Sequence, residues 1–337
     1  MQGERRKMKF LIAGLGSIGR RHLRNLRALG HEDILLYRTH RATLPDAELE
    51  GLPVYTELDR ALEEEPDGVI VANPTALHVP VATAAAQAGA TLLIEKPISD
   101  SLIGLSDLKT ALAKSGKAAM IGFHFRFHPV LRQIKTLLES EQLGKPLSAR
   151  AHWGEYLPGW HPWEDYRLSY AARAELGGGV VNTLSHPLDY LRWLLGEVVN
   201  VNARMGHLSA LELDVEDYAE ILMGFANGSS ASVHLDYFQQ PPSHTLEITC
   251  ENGRVCWDNA DGKAQVYRAQ SGAPTQLTPP EGFERNQMFL EEMAGFVRLC
   301  RGESLPHCSL ADGIRVQELV LAAKQSAAQD GGLVWLS

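Results

Sequence analysis

The segment that decides the fold is residues 7–29, KMKFLIAGLGSIGRRHLRNLRAL. An apolar run at residues 10–13 leads directly into a glycine turn, and leucines at helical spacing follow that turn. A buried strand, a glycine turn and a helix in this order form the phosphate-binding start of a dinucleotide-binding Rossmann unit. The alternative is a glycine-rich turn that binds no ligand.

The three glycines of the turn have different physical roles. Gly14 permits the tight turn, Gly16 lets a pyrophosphate approach the backbone, and Gly19 lets the helix pack closely on the strand. The N-terminus of the helix offers N–H groups and a partial positive charge to an anion. We therefore predict that a dinucleotide diphosphate is bound by Gly14, Gly16, Ser17, Ile18 and Gly19.

The second predicted strand, at residues 34–37, ends where a Rossmann unit binds the ribose. NAD-binding units commonly have an Asp or Glu there, about 20 residues beyond the glycines. This sequence has Arg38 and Thr39 instead, with Arg41 nearby and no carboxylate. Because a guanidinium binds a phosphate through two parallel hydrogen bonds, we expect NADP, with NAD possible. The alternative is a basic surface loop.

Strands and helices alternate through residue 123, which predicts a doubly wound parallel sheet and an NAD(P)-binding domain at residues 1–123. Asn73, Pro74 and Thr75 follow a buried strand of this sheet, at the edge where α/β proteins bind ligands. From residue 124 long strands dominate, which predicts an α+β domain at 124–337 with a large, mostly antiparallel open sheet. Helices near 284–301 and 310–328 can pack back on the first domain.

Bulk composition excludes several classes of partner. A chain of 337 residues is too long for one ordinary hydrophobic core, so two domains are expected. Its net charge of −9 argues against a nucleic-acid or anionic-membrane partner. No stretch approaches the roughly 20 apolar residues of a membrane span, and the basic start has no cleavable apolar region of the usual kind. The four cysteines lack CxxC spacing, so we expect reduced thiols and a cytoplasmic location.

Four separated motifs carry a resemblance to the glucose–fructose oxidoreductase / inositol dehydrogenase / MocA (Gfo/Idh/MocA) family. They are GLGSIGRRHL (14–23), ANPTALH (72–78), EKP (95–97) and GGGVVNTLSHPLDYLRWLLG (177–196). The resemblance implies a Rossmann domain followed by a mixed α/β domain. It also implies a homodimer or homotetramer formed through the second sheet. The further cofactor-binding residues that it implies are His78, Glu95, Lys96 and Pro97.

Lys96 and His186 are the predicted catalytic residues. A lysine at the end of a buried strand can stabilise a developing alkoxide, and the EKP motif implies a cis Lys96–Pro97 bond. His186 begins an amphipathic helix, where it can accept the proton of a hydroxyl that is being oxidised. The alternatives are a surface lysine paired with Glu95 and a histidine that caps its helix.

Asn182 departs from the family pattern. The family has D-x-x-x-H at this point, whereas this chain has Asn182 four residues before His186. Asn can hydrogen-bond a substrate hydroxyl, but it carries no charge, so we expect it to orient the substrate. Asp189 is expected on the helix surface or behind the site rather than as a replacement.

Residues 152–167 contain three of the six tryptophans, together with Glu, Asp, His and Arg. Aromatic faces with orienting hydrogen bonds suit a sugar or polyol, so Trp160, Trp163 and Arg167 are predicted to contact the substrate. The alternative is an aromatic loop packed on its domain or at a subunit interface. Arg126 is a candidate for an anionic substrate group, with helix packing as its alternative. No metal site is predicted, because His161 and Asp165 lack a third ligand.

Together these features predict an NAD(P)-dependent oxidoreductase. It would transfer a hydride between nicotinamide and a hydroxyl or keto carbon of a sugar, cyclic polyol or nucleotide-sugar. Two alternatives stay open. One is an NAD-dependent glycoside hydrolase of the same scaffold. The other is a non-catalytic NADP-sensing regulator, which the absence of the family's aspartate at position 182 allows.

Overall fold

The computed structural model of the chain describes residues 7–39, 46–270 and 272–336. Its strands are β1 (Phe10–Ala13), β2 (Ile34–Tyr37), β3 (Val54–Tyr55), β4 (Gly68–Val71), β5 (Thr91–Ile94), β6 (Ala119–Ile121), β7 (Pro146–Gly154), β8 (Val198–Gly206), β9 (Tyr218–Phe225), β10 (Ser230–Asp236), β11 (Ser243–Cys250), β12 (Gly253–Asp258), β13 (Ala264–Arg268), β14 (Thr275–Leu277) and β15 (Val334–Trp335). Its α-helices are α1 (Ser17–Ala28), α2 (Leu58–Leu62), α3 (His78–Gln87), α4 (Leu105–Ser115), α5 (Pro129–Glu139), α6 (Val180–Thr183), α7 (His186–Leu195), α8 (Asn286–Cys300) and α9 (Leu310–Ala328).

The chain divides into two units. The first consists of Met1–His124 and Arg285–Ile314, and the second of Phe125–Glu284 and Arg315–Ser337. The sequence predicts a second domain at 124–337 with C-terminal helices that can pack back on the first domain. The structure groups α8 with the first unit, and α9 begins in the first unit and continues in the second.

The first unit contains a six-stranded sheet in the order β3-β2-β1-β4-β5-β6, with every neighbouring pair parallel. β1 lies inside the sheet because its four residues, FLIA, are all apolar and buried. This is the doubly wound order in which dinucleotides bind where the strand order reverses, between β1 and β4. It confirms the Rossmann half of the predicted fold class.

Helix α8 completes the core of the first unit. Met293 and Phe296 on α8 join the same buried cluster as Phe10 on β1. The contact is close at Gly68, because a Cβ there would lie 2.9 Å from the Phe296 ring and 2.8 Å from the Cys300 sulfur. The first unit therefore needs a segment from far along the chain to close its core.

The second unit contains a nine-stranded sheet in the order β14-β13-β12-β11-β7-β10-β9-β8-β15. Its neighbouring strands are antiparallel except for the central pair, β7 and β10. Side chains alternate, so that Ala151 and Trp153 are buried while Arg150 is exposed. The prediction of a large, mostly antiparallel open sheet is confirmed, but the sequence pattern does not predict the two edge strands, β14 and β15.

Two further findings concern the whole described chain. Among the residues placed by the structure, no helix combines the length and the apolarity that a bilayer crossing requires. All four cysteines are free thiols.

Candidate functional site

The turn between β1 and α1 has the shape that a diphosphate needs. Gly14 has φ +98°, and a Cβ there would lie 2.5 Å from the backbone nitrogen of Asn73. A Cβ at Gly19 would lie 2.0 Å from the carbonyl oxygen of Gly14. At Gly16, by contrast, no described atom lies within 4 Å of the Cβ position. The fold therefore requires glycine at 14 and 19, while the space beside Gly16 is open to a ligand.

The start of α1 suits that ligand. Gly16 precedes the helix without a side-chain cap from the described residues, and the first turn, which contains Ser17 and Ile18, has no acidic residue. The N-terminal N–H groups and the helix dipole consequently favour an anion at this point. The residues present fit the diphosphate of a dinucleotide.

The loop after β4 carries Asn73, Pro74 and Thr75, which lie at the carboxyl end of a strand adjacent to β1. His78 connects this loop to the EKP motif. Its Nε2 lies 2.8 Å from the carbonyl oxygen of Asn73, and its Nδ1 lies 2.9 Å from that of Pro97. Burial holds the pKa of His78 below its ordinary value, against the opposing effect of the two carbonyl groups. The ring thus joins the ends of two neighbouring strands.

The segment after β2 contains the residues predicted to choose between NAD and NADP. The Arg38 backbone N–H donates to the carbonyl oxygen of Tyr55 at 3.0 Å, and the Arg38 side chain is largely buried. Thr39 is exposed. Arg41 lies outside the described residues. The structure therefore places Arg38 at the carboxyl end of β2, where a Rossmann unit binds the ribose.

Lys96 lies two residues beyond the end of β5, after Glu95, and is half-buried. The Lys96–Pro97 peptide bond is cis, as the resemblance implied. The preceding Glu95 is buried and accepts hydrogen bonds from His22 Nε2 at 2.7 Å and from the Lys96 backbone N–H at 3.2 Å. Burial alone would raise the pKa of Glu95, but the hydrogen bond and charge of His22, followed by the charge of Lys96, outweigh it and lower that pKa.

A second carboxyl group adjoins this pair. Glu292 on α8 is fully buried, and its ligand atom lies within 4.8 Å of those of His22 and Glu95. Neither Glu292 oxygen has a hydrogen-bond partner among the described residues. Burial, and then the negative charge of Glu95, raise the pKa of Glu292 well above its ordinary value. Of the two carboxyl groups, Glu292 therefore keeps its proton to the higher pH.

Neither His22 nor Glu292 is among the site residues that the sequence pattern predicts. His22 stands inside the GLGSIGRRHL motif, so the motif itself contained the signal. Glu292 lies four residues after Met288 and four before Phe296, in the apolar register of α8. A carboxylate in that register is the signal that could have revealed it.

In the second unit, His186 begins α7 and is 1% exposed. Its ring centroid lies 4.9 Å from that of Phe125 and 5.6 Å from that of Trp153. These two rings fix the plane of the imidazole. His186 thus sits in an aromatic cluster rather than on an exposed helix surface.

Asn182 lies on α6 and is 1% exposed. Its side-chain amide donates to the carbonyl oxygens of Gly177 at 3.0 Å and Gly178 at 3.1 Å. The glycine segment that these bonds hold is tightly packed, because a Cβ at Gly178 would lie 2.4 Å from the Tyr170 carbonyl oxygen. An aspartate, which when ionised has no donor, could not make these bonds. These bonds give Asn182 a structural role within the second unit.

Arg126 is committed to a partner inside the second unit. Its guanidinium donates from Nε to Asp189 Oδ2 at 3.0 Å and from Nη2 to Asp189 Oδ1 at 2.7 Å. Both side chains are at least 95% buried. This geometry favours helix packing, the alternative to a substrate contact, and it places Asp189 in the interior instead of on the helix surface.

The segment with three tryptophans, residues 152–167, begins at the end of β7, which contains Trp153, and short 3-10 turns follow at Leu157–Gly159 and Tyr166–Leu168. Trp160 packs edge-on against Tyr237, with 5.6 Å between the ring centroids. Trp163 is 67% exposed. Arg167 forms ion pairs with Asp165 and with Glu212. Trp163 is thus open to contact with a ligand, whereas Arg167 is already paired within its own unit.

Taken by unit, the structure brings the predicted cofactor residues together at the carboxyl ends of β1, β2, β4 and β5. It brings Asn182 and His186 together on consecutive helices. Arg126, His186 and Trp153 belong to one aromatic and ionic interior. Trp163 and Arg167 lie apart from that interior, on the surface.

Two family models match the chain. Residues 8–123 match the model described as the oxidoreductase family, NAD-binding Rossmann fold. Residues 131–256 match the model of the GFO/IDH/MocA C-terminal domain. An uncharacterized oxidoreductase of Bacillus subtilis, YrbE, is 27% identical over 332 residues, which cover 94% of this chain and 93% of that protein.

Solved structures share the fold over nearly the whole length. A levoglucosan dehydrogenase in complex with NADH and levoglucosan has a TM-score of 0.86 at 21% identity, covering 97% of this chain and 99% of that one. The WlbA dehydrogenase from Bordetella pertussis, in complex with NADH and UDP-GlcNAcA, has a TM-score of 0.82 at 21% identity, covering 98% of each chain. The chain belongs to the Gfo/Idh/MocA family and is an NAD(P)-dependent oxidoreductase.

Proposed function

We propose that this oxidoreductase transfers a hydride between a nicotinamide cofactor and a hydroxyl or keto carbon of a sugar, cyclic polyol or nucleotide-sugar. The observation that carries the proposal is the open glycine turn at the start of α1, with Lys96 at the end of β5 in the same sheet. The ligands in the levoglucosan dehydrogenase and WlbA structures, an anhydrosugar and a nucleotide-sugar beside NADH, support this class of substrate.

The bound nicotinamide would supply the hydride acceptor or donor. In the proposed reaction the Lys96 ammonium stabilises the negative charge that develops on the oxygen of the reacting carbon. His186 accepts the hydroxyl proton during oxidation and returns it during reduction. Phe125 and Trp153 restrict its ring to one plane. Because Asn182 is already bonded to Gly177 and Gly178, we assign it the role of positioning the segment before His186.

We further propose NADP as the preferred cofactor. Arg38 and Thr39 at the end of β2 support this choice, since no carboxylate stands at the place where NAD-binding units bond the ribose hydroxyl. The NADH in both solved relatives makes NAD the natural competitor. Homodimer or homotetramer formation through the nine-stranded sheet, and a cytoplasmic location, stay predictions.

The experiment is a turnover screen of the full chain with NAD, NADP and their reduced forms. The panel contains free sugars, anhydrosugars, cyclic polyols and nucleotide-sugars, and nicotinamide absorbance is followed. The proposal expects a stoichiometric change in absorbance with at least one member. Dinucleotide binding without turnover on any member would favour a regulator. Product formation from a glycoside without a net change in absorbance would favour the hydrolase alternative.

A further inference from the structure

A row of ionisable side chains crosses the centre of the nine-stranded sheet. The register pairs Glu220 on β9 with His234 on β10, and His234 with His152 on β7. All three lie on the face opposite the buried side chains of these strands. The two imidazole rings are parallel, with centroids 4.5 Å apart.

Four potential metal-ligand atoms face one another at one end of this row. His234 Nε2 lies 2.9 Å from Asp236 Oδ2, and His152 Nε2 lies 2.5 Å from Gln239 Oε1. Asp236 Oδ2 and Gln239 Oε1 each lie 2.3 Å from the point that a Cβ at Gly154 would occupy. One ligand atom each of His152, His234 and Asp236 falls within 4.8 Å of the other two, so the three residues can reach one ion. Glycine at position 154 keeps this space open.

The surrounding contacts hold the four residues in place. Glu220 Oε1 lies 2.6 Å from His234 Nδ1, which directs the other ring nitrogen toward Asp236. Asp236 Oδ1 accepts the backbone N–H groups of Phe238 at 2.9 Å and Gln239 at 2.7 Å. A carboxylate bonded to the far nitrogen of a metal-bound histidine is the usual outer contact of such a ligand.

We propose that His152, His234, Asp236 and Gln239 bind one divalent transition-metal ion, for which Zn²⁺ is the best match. Imidazole nitrogens suit zinc and its first-row neighbours, and a carboxylate with an amide oxygen completes a four-ligand N₂O₂ set. A groove of about 620 Å³ is lined by two of the four residues, His152 and Gln239, and so adjoins the proposed site. The bound ion would join β7, β10 and the segment after β10.

A proton is the competing occupant. The hydrogen bond to Asp236, aided by that to Glu220 and by both charges, raises the pKa of His234, while partial burial opposes the rise. A positively charged His234 paired with two carboxylates would explain its contacts without a metal. A protonated His234 alone would not, however, account for the position of His152 and Gln239 beside His234 and Asp236. The two accounts therefore differ in what removal of His152 does.

The test is isothermal titration of ZnCl₂ into the tag-free full chain after chelator treatment and dialysis. One Zn²⁺ per chain is expected, and His152→Ala should weaken binding by more than tenfold. Glu220→Gln leaves the four ligands in place and should weaken binding about 10–100-fold, the usual effect of losing the outer carboxylate. His207→Ala is the matched control, because His207 belongs to the same unit and its nearest carboxylate, that of Asp217, is 3.8 Å away.

Circular dichroism of each metal-free variant separates loss of the ion from loss of the fold. Because Glu220 is half-exposed, its variant is expected to fold even if the histidine variant does not. Zinc binding by the wild type well below one ion per chain would overturn the proposal. So would equal binding by the wild type, His152→Ala and Glu220→Gln, and either result would leave the protonated His234 as the explanation.

Discussion

Replacing Asn182 by aspartate, the residue that the family pattern has at this position, is expected to destabilise this protein. The Asn182 amide is buried and donates to the carbonyl oxygens of Gly177 and Gly178. An aspartate of the same shape would present oxygen atoms to these two oxygens. Both carbonyl groups would lose their donor, and a carboxylate would be buried without a partner.

The expected cost follows from these losses. An unsatisfied buried polar group costs about 1–3 kcal/mol, and an uncompensated buried charge costs about 3–5 kcal/mol. We expect Asn182→Asp to lower the free energy of unfolding by about 3–5 kcal/mol at pH 7, and Asn182→Ala to lower it by less. At about 2–4 °C per kcal/mol for a domain of 150–250 residues, Asn182→Asp should lower Tm by roughly 6–20 °C.

Tryptophan fluorescence is the suitable probe, because all six tryptophans belong to the second unit, which contains Asn182. Asn252→Asp, at an exposed position, provides the control for the chemical change alone. Burial should raise the pKa of the introduced carboxyl group in the folded variant above its unfolded value of about 3.9. The destabilisation should therefore be smallest below pH 4 and grow as the pH rises toward the folded pKa.

Two results would refute this reasoning. One is a Tm of Asn182→Asp equal to that of the wild type at pH 7. The other is a destabilisation by Asn182→Ala that exceeds the one by Asn182→Asp, since the charge would then contribute nothing.

Three further predictions concern the first unit. Because the folded pKa of Glu292 is raised above its ordinary value of 4.5, the wild type should lose stability as the pH rises from 4.5 toward that folded pKa, and Glu292→Gln should remove this loss. Calorimetric curves of stability against pH that run parallel for the wild type and the variant would contradict this prediction. Gly16→Ala should leave Tm unchanged but weaken dinucleotide binding, whereas Gly19→Ala should lower Tm by several degrees, because its methyl group would clash with the Gly14 backbone. Calorimetry and a binding titration measure the two effects, and equal effects of both variants would contradict the assigned roles. Arg38→Asp should weaken NADP binding by about 10–100-fold, which corresponds to the loss of a charge-assisted hydrogen bond of about 1.5–3 kcal/mol, and should not weaken NAD binding. An equal loss of both affinities, or an equal effect of Arg60→Ala on the exposed surface, would contradict the preference for NADP.

Local signals made the first unit predictable. Strand β1, the glycine turn and α1 are contiguous in sequence. The sequence predicts that Gly14 and Gly19 are needed for steric reasons, and in the structure a Cβ at either position would clash with backbone atoms. Strands β14 and β15 lack such a local signal and are therefore not predicted. Strands of three and two residues are too short to display an alternating pattern.

Side-chain partners far apart in sequence were beyond such reasoning. Arg126 and Asp189 are separated by 63 positions, and nothing in the spacing of either predicts their bidentate pair. The hydrogen bonds of Asn182 depend on the path of the glycine segment at 177–179, which the sequence pattern does not predict. The row of His152, His234 and Glu220 depends on strand register, because a one-residue slip would move each side chain to the opposite face.

The central claim is that Lys96, beyond its predicted contact with the cofactor, stabilises the transition state of hydride transfer. Single-turnover kinetics with the substrate found in the screen would test it directly, comparing the wild type, Lys96→Ala and the exposed control Lys109→Ala. The account predicts that Lys96→Ala lowers the hydride-transfer rate about 10²–10³-fold, as for the loss of an oxyanion-stabilising group, while the Kd of the dinucleotide changes little. A hydride-transfer rate within twofold of the wild type, or a loss confined to cofactor affinity, would contradict it.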